Sequence, residues 1–409
     1  MARPAVILSA ALLAVVLVGC GSDEPSTVTP DTTTSAPVVA SSTVAPTTPT
    51  APTTTTPPTT TSPDPAPSDF SAVSPIVADF VEQRGLNGAG LIVVHRDHGV
   101  LHHEHWGEFD EDRISLIASS SKMISAGVLL HLQDEGLLDI DAPVGDVAPW
   151  GAGNPDITPA QLVSNSSGLV GLGPDVLYGP YLCQFGPTFV LQECAEAIFT
   201  AAGDDADIIP PDSAFRYGGA QWQVAGAVAE AASGQTWAEL IEEIYVEPCE
   251  LDALAFNNPF LPLGSDGGGY PSAFDADPAT LPDTDNPNIE GGAYVTTGDY
   301  GKLLLMQLRD GMCGDHQVLS AEAVDRMHDD RIGEVYDGNA GDPSMGYGMG
   351  WWVDRESGYI SDGGAFGTVP WLDLEDGYGA YLVIEADSDT GGQLASQLFE
   401  VIDDAVNAG

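Results

Sequence analysis

Ile117-Ala118-Ser119-Ser120-Ser121-Lys122 places a serine and a lysine three residues apart. They open an apolar, helix-like run that reaches Glu135 and stops at Gly136, a suitable residue just past a helix end. Residues three apart on a helix share a face, so the Lys122 amine can touch the Ser119 hydroxyl. The chain has only two lysines, Lys122 and Lys302, and chance supplies roughly 0.14 S-x-x-K matches in such a sequence. A serine needs help to attack a carbonyl, and a lysine gives it as a base only when desolvation or a nearby cation lowers its pKa. The bland alternative is an exposed lysine on a Ser-rich helix start. No G-x-S-x-G elbow occurs, so that type of nucleophile is excluded.

Outward from this stretch the chain reads as strands, then helices, then strands. Gly88 to His95 and Val100 to Trp106 are β-like runs joined by the turn residues Arg96-Asp97-His98-Gly99. Thr158-Pro159-Ala160-Gln161 and Thr236-Trp237-Ala238-Glu239 are capping boxes, and Ser320 caps a helix ending near Met327 or His328. Residues 255–292, rich in Gly, Pro, Asn and Asp, are expected to be mostly loop. Strands return at Met349 to Val353, Thr368 to Leu374 and Tyr378 to Glu385, and a last helix is expected from about Gln393 to Val406. This order predicts a mixed α/β (α+β) fold. An antiparallel sheet is built from both chain ends and flanked by helices, with a mainly helical region inserted at about 130–340.

Further motifs follow the serine in order. They are Ser164-Asn165-Ser166-Ser167-Gly168-Leu169, Phe215-Arg216-Tyr217-Gly218-Gly219, Gly291-Gly292-Ala293-Tyr294-Val295-Thr296-Thr297 and Gly346-Tyr347-Gly348-Met349-Gly350-Trp351. With Ser119-Ser120-Ser121-Lys122 and Leu132-Gln133-Asp134-Glu135-Gly136-Leu137, the series over about residues 75–405 resembles the serine β-lactamase and penicillin-binding-protein superfamily. The branch is the one related to class C β-lactamases, with its DD-peptidases, D-aminopeptidases and family VIII carboxylesterases. The resemblance implies a transpeptidase-like fold, no cofactor and an acyl-enzyme on Ser119. Lys122 would relay the proton, and Tyr217 would work as or with the general base, because a phenolate at neutral pH needs an adjacent ammonium. The oxyanion hole implied by position is the N–H groups of Ser119 and Ala365.

Two positions depart from the pattern. The second motif normally ends in an Asn whose amide binds the acyl side chain; here that place is Gly219. The third, usually K-T-G or H-x-G, is Asp362-Gly363-Gly364. A cation there would attract a substrate carboxylate, and Asp362 is expected to border the cleft and repel it. β-Lactams and D-Ala-D-Ala peptides carry that carboxylate. The expectation is therefore a neutral or cationic ester or amide, or a cell-envelope substrate, with weak or absent β-lactamase and carboxypeptidase action. The rival reading is a catalytically weak or inactive envelope protein that keeps the fold for binding.

The remaining features bound the setting. Residues 1–20 read as an export signal: Arg3, an apolar run from Ala5 to Val18, then Leu17-Val18-Gly19-Cys20. The last four resemble a bacterial lipobox, which implies a lipidated Cys20 anchored to the outer face of a membrane; an ordinary signal peptide is the alternative. Residues 21–69, mostly Thr, Pro and Ser, are expected to form a disordered stalk, leaving 70–408 as the hydrolase domain. An even set of Cys183, Cys194, Cys249 and Cys313 in an exported chain favours disulfides. Three pairings are open, and Cys183–Cys194 with Cys249–Cys313 close the shorter loops. With 61 acidic against 11 basic residues and a net charge of −50, the chain is unsuited to nucleic acid, and no basic patch can bind a membrane. His95, His98, His102, His103 and His105 crowd one hairpin, where His103 and His105 share a face. That hairpin is a structural part of the resembling family, so no metal is expected.

Overall fold

The structure is a computed structural model; it describes residues 68–408 apart from 155, 174–177, 202–206, 264–268 and 272–276. The export signal, Cys20, nearly all of the expected stalk and residues 204–206 of an acidic run lie outside the described residues.

The central sheet has seven strands, all antiparallel to their neighbours. They are β1 (Gly88–His95), β2 (Gly99–Gly107), β6 (Met345–Tyr347), β7 (Trp352–Asp354), β8 (Tyr359–Ser361), β9 (Thr368–Asp373) and β10 (Tyr378–Val383), in the order β2-β1-β10-β9-β8-β7-β6. The first hairpin thus pairs directly with the last strand, Ile92 opposite Tyr381, and the sheet is built from both chain ends. A smaller sheet joins β3 (Ile114–Leu116), β4 (Leu254–Phe256) and β5 (Ala293–Thr296) in the order β3-β5-β4.

Strand alternation divides the core in two. Leu91, Val93, Trp371, Ala380 and Leu382 face a layer containing Val77 and Phe80 of α1 (Val73–Arg84) and Leu394, Leu398 and Ile402 of the final helix (Ser388–Asn407). Their neighbours Ile92, Val94, Leu372, Tyr381 and Val383 face the larger helical layer. That layer includes α2 (Lys122–Asp134), α3 (Ala220–Ser233) and α4 (Thr297–Leu308). Each such apolar side chain buried contributes about 1.5–3 kcal/mol.

Local chemistry accounts for the element ends. Gly136, at φ 71°, follows α2, and its N–H bonds to the Gln133 carbonyl. Thr158 and Thr236 form complete capping boxes with Gln161 and Glu239, and Ser320 accepts the Ala323 N–H. The disulfides are Cys183–Cys194 and Cys249–Cys313, each worth roughly 2–4 kcal/mol.

Three boundaries differ from the sequence reading. The final helix starts five residues before Gln393, because Asp387 caps it by accepting the Thr390 N–H. The expected strand Met349 to Val353 is instead a turn and then β7; the Met349 N–H leaves the sheet for the Met327 carbonyl. The Ser119-to-Lys122 stretch is one 3-10 turn, Ala118–Ser121, running into α2, and not a uniform α-helix.

Candidate active site

The reactive turn is held from several sides. Ser120 Oγ donates to the Asp362 carbonyl at 2.8 Å and lies 2.7 Å from Thr368 Oγ1, which donates to the Ile117 carbonyl at 2.9 Å. Tyr300 of α4 donates to the Ser120 carbonyl at 3.0 Å. A Cβ at Gly364 would stand 2.2 Å from the Ile117 oxygen, so only glycine lets this segment approach. Ala118, immediately before Ser119, has φ 46° in the left-handed region, where a non-glycine residue costs of order 1–3 kcal/mol. Strain and clamping together present a half-buried Ser119 between two walls of the molecule.

Lys122 Nζ donates to Ser119 Oγ at 2.9 Å, and its ammonium sits 4.7 Å from the centre of the Tyr217 ring. The Tyr217 phenol interacts electrostatically with both Ser119 and Lys122. The structure therefore brings together Ser119, Lys122 and Tyr217, the last from the loop before α3. Lys122 is fully buried. Burial alone would lower its pKa, but negative charge placed on Tyr217, and then on Glu290 or Asp362, outweighs it and raises it. Tyr217 is also raised, chiefly by burial, with the Lys122 charge pulling the other way. The resting pair is thus an ammonium beside a neutral phenol, rather than the phenolate that an adjacent cation alone suggests.

That state sets a pH dependence. The pair becomes a base only by losing a proton, and both groups hold theirs above their usual values. The kcat/KM for ester hydrolysis is expected to climb steadily between about pH 6 and 9. A plateau already reached at neutrality would show a lowered pKa and contradict this arrangement.

Asp362 requires a correction. Its side chain is fully buried, with neither carboxyl oxygen hydrogen-bonded. It does not border the cleft. Burial raises its pKa well above the carboxylate range, with Lys122 opposing and Glu290 adding to the rise. A neutral acid behind the site cannot repel a substrate carboxylate; what remains from the departure is the missing cation. Gly219 is likewise buried, and its N–H donates to Glu290 Oε2 at 2.8 Å. Gly364 packs against the reactive turn, as described.

Outside the 3-10 turn's own ladder, the N–H groups of Ser120, Gly364 and Gly367 bond to the carbonyls of Ile117, Thr368 and Gly364. Trp351 is buried in the core, whereas Trp352 is half-buried with its ring 4.9 Å from that of Tyr217. Phe215, 5.5 Å from Trp352, completes an aromatic side to the site. His103 and His105 meet edge-on, with ring centres 4.6 Å apart. Among the described residues, the metal-type donors that gather in threes are Asp373, Asp376 and Asp403, all partnered carboxylates and none of them histidine.

Glu290, just before β5, is the site residue that the motifs did not disclose. As one of 61 acidic residues it carried no signal beyond its place before Gly291-Gly292.

Comparisons with known proteins agree with this fold. The β-lactamase family pattern matches residues 73–399. Penicillin-binding protein 4 of Amycolatopsis lactamdurans is 25% identical over 322 residues, covering 74% of this chain and 78% of that one. Among solved structures, EstCE1, a hydrolase with promiscuous acyltransferase activity, superposes with a TM-score of 0.64 at 16% identity, covering 81% of this chain and 99% of that one. Simvastatin synthase from Aspergillus terreus gives a TM-score of 0.62 at 17% identity over 83% and 99%. With a family match spanning most of its length, this chain belongs to the β-lactamase family of serine hydrolases.

Proposed function

We propose that this protein hydrolyses neutral or cationic esters or amides, esters foremost, through an acyl-enzyme on Ser119. The observation that carries this is the 2.9 Å contact between Lys122 Nζ and Ser119 Oγ, with the Tyr217 ring centre 4.7 Å from the same ammonium. Once the Tyr217–Lys122 pair has given one proton to solvent, Ser119 Oγ attacks the substrate carbonyl carbon and its proton passes into that pair. The N–H groups of Ser119 and Ala365 take the developing oxyanion. The pair then protonates the departing alkoxide or amine, and water repeats the sequence to free the acid and Ser119.

The choice of substrate follows from charge and shape. The family's third-motif cation is absent, and Lys122 is buried and engaged by Ser119, Tyr217 and Glu290. Trp352 and Phe215 offer an apolar face beside Tyr217. EstCE1, a hydrolase with promiscuous acyltransferase activity, and simvastatin synthase share this fold. A neutral p-nitrophenyl butyrate is expected to be cleaved at least about tenfold more efficiently than the same ester bearing a terminal carboxylate. Measurable nitrocefin turnover that disappears in Ser119→Ala would overturn the preference.

We further propose that Cys20 is lipidated and holds the protein on the outer face of a bacterial membrane, with its substrate met there. The Leu17-Val18-Gly19-Cys20 sequence supports it. Among the described residues no helix is long and apolar enough to cross a membrane. A Cys20→Ala variant is expected to leave the membrane fraction on cell fractionation; unchanged membrane retention would count against lipidation.

A further inference from the structure

Position 219 gives Lys122 no side chain. The ammonium's other polar neighbours, besides Ser119 and Tyr217, come from Glu290. Its Oε2 lies 3.3 Å from Lys122 Nζ and also accepts the Gly219 N–H at 2.8 Å. Its backbone carbonyl accepts from Lys122 Nζ at 3.2 Å. The residue is 6% exposed, so these contacts are shielded from solvent.

The surrounding structure is shaped to hold that carboxylate. A Cβ at Gly218 would stand 2.6 Å from Glu290 Oε2. Gly219 has φ 79° and ψ −161°, a conformation essentially confined to glycine, and this aims its N–H at Glu290. The preceding residue is pinned to two helices: the Ile289 carbonyl accepts from Ser125 Oγ of α2 at 2.6 Å, and the Ile289 N–H donates to Gln223 of α3 at 3.2 Å. The glycine pair and the anchored loop place one acid against one base in a buried space.

We propose that Glu290 is a positioning residue of the acyl-transfer site, its carboxylate holding the Lys122 ammonium beside Ser119 and Tyr217. The role rests on the reading of Ser119 as nucleophile. The groups that face Lys122 are the Ser119 hydroxyl, the Tyr217 phenol, Glu290 and, through space, Asp362. Of the two carboxyl groups, Glu290 is the one in contact distance and the one bound to a second part of the site.

The two-lysine composition gives a direct test. In full-length protein labelled with carbon-13 at the lysine Cε, the NMR spectrum contains signals from Lys122 and Lys302 alone. Glu290→Gln keeps an acceptor for the Gly219 N–H and removes the charge. The Lys122 titration is expected to move down by about one pH unit or more, while Lys302, paired with Asp299, stays put and reports an intact fold. Labelling of Ser119 by a fluorophosphonate, compared at the alkaline end of each protein's pH profile so that the lowered Lys122 titration does not mask the loss, is expected to slow roughly tenfold. Glu290→Asp, which keeps the charge, is expected to hold Lys122 closer to wild type and is the second variant should the Gln form misfold. An unchanged Lys122 titration in Glu290→Gln overturns the contact, and an unchanged labelling rate overturns the role. Wild-type protein that never labels overturns the hydrolase reading itself, a result distinct from both.

Discussion

Ser119→Ala is expected to lower kcat/KM for p-nitrophenyl butyrate by at least about 10³-fold and to abolish fluorophosphonate labelling. The size follows from the arrangement. The Ser119 oxygen is the atom that forms the covalent bond, and no second hydroxyl occupies its place: Ser120 and Ser121 are buried, with Ser120 Oγ bonded to the Asp362 carbonyl and Ser121 Oγ to the Ala118 carbonyl. Alanine removes one hydroxyl from a half-buried position, so the fold should be unaffected. Residual catalysis would come from the oxyanion donors and from binding alone. Labelling of the alanine variant at the wild-type rate would place the nucleophile elsewhere. A well-folded wild type that resists both ester and probe would favour the rival, non-catalytic reading.

Lys122→Met should cost both activity and stability. Methionine keeps most of the unbranched stem in a fully buried position but removes the ammonium. Loss of the base partner is expected to slow acylation by about 10²–10⁴-fold. Glu290 then loses the cation 3.3 Å away, and removing one partner of a buried ion pair typically costs about 3–5 kcal/mol. Denaturant unfolding reads the second effect and probe labelling the first. Adding Glu290→Gln to Lys122→Met should recover part of the stability and none of the activity. Wild-type stability in Lys122→Met would mean that the pair carries no net weight in the folded protein.

Much of the site was legible because its parts are local. Ser119 and Lys122 are three residues apart, and Thr158, Thr236 and Ser320 announce their helices by side-chain chemistry that needs no tertiary partner. The strands nearest the chain ends showed themselves through long apolar runs. What escaped had no local signal. In α3, residues 220–229 are all buried, so no polar face marks its period. β6 and β8 have three residues each, too few for an alternation to register. Asp362 reads as a charge on a loop, and only the surrounding fold makes it a neutral, enclosed acid. Glu290 reaches Lys122 across 168 residues, a distance that no spacing argument spans.

The clamp on the reactive turn has a consequence for timing. Asp362 and Thr368, which fix Ser120, lie close to the end of the sequence, and β10 must arrive before the first hairpin has its partner. A chain that has not yet added those residues holds Ser119 and Lys122 but lacks this part of their brace. Full reactivity of Ser119 is therefore expected to come only once the last strands have folded.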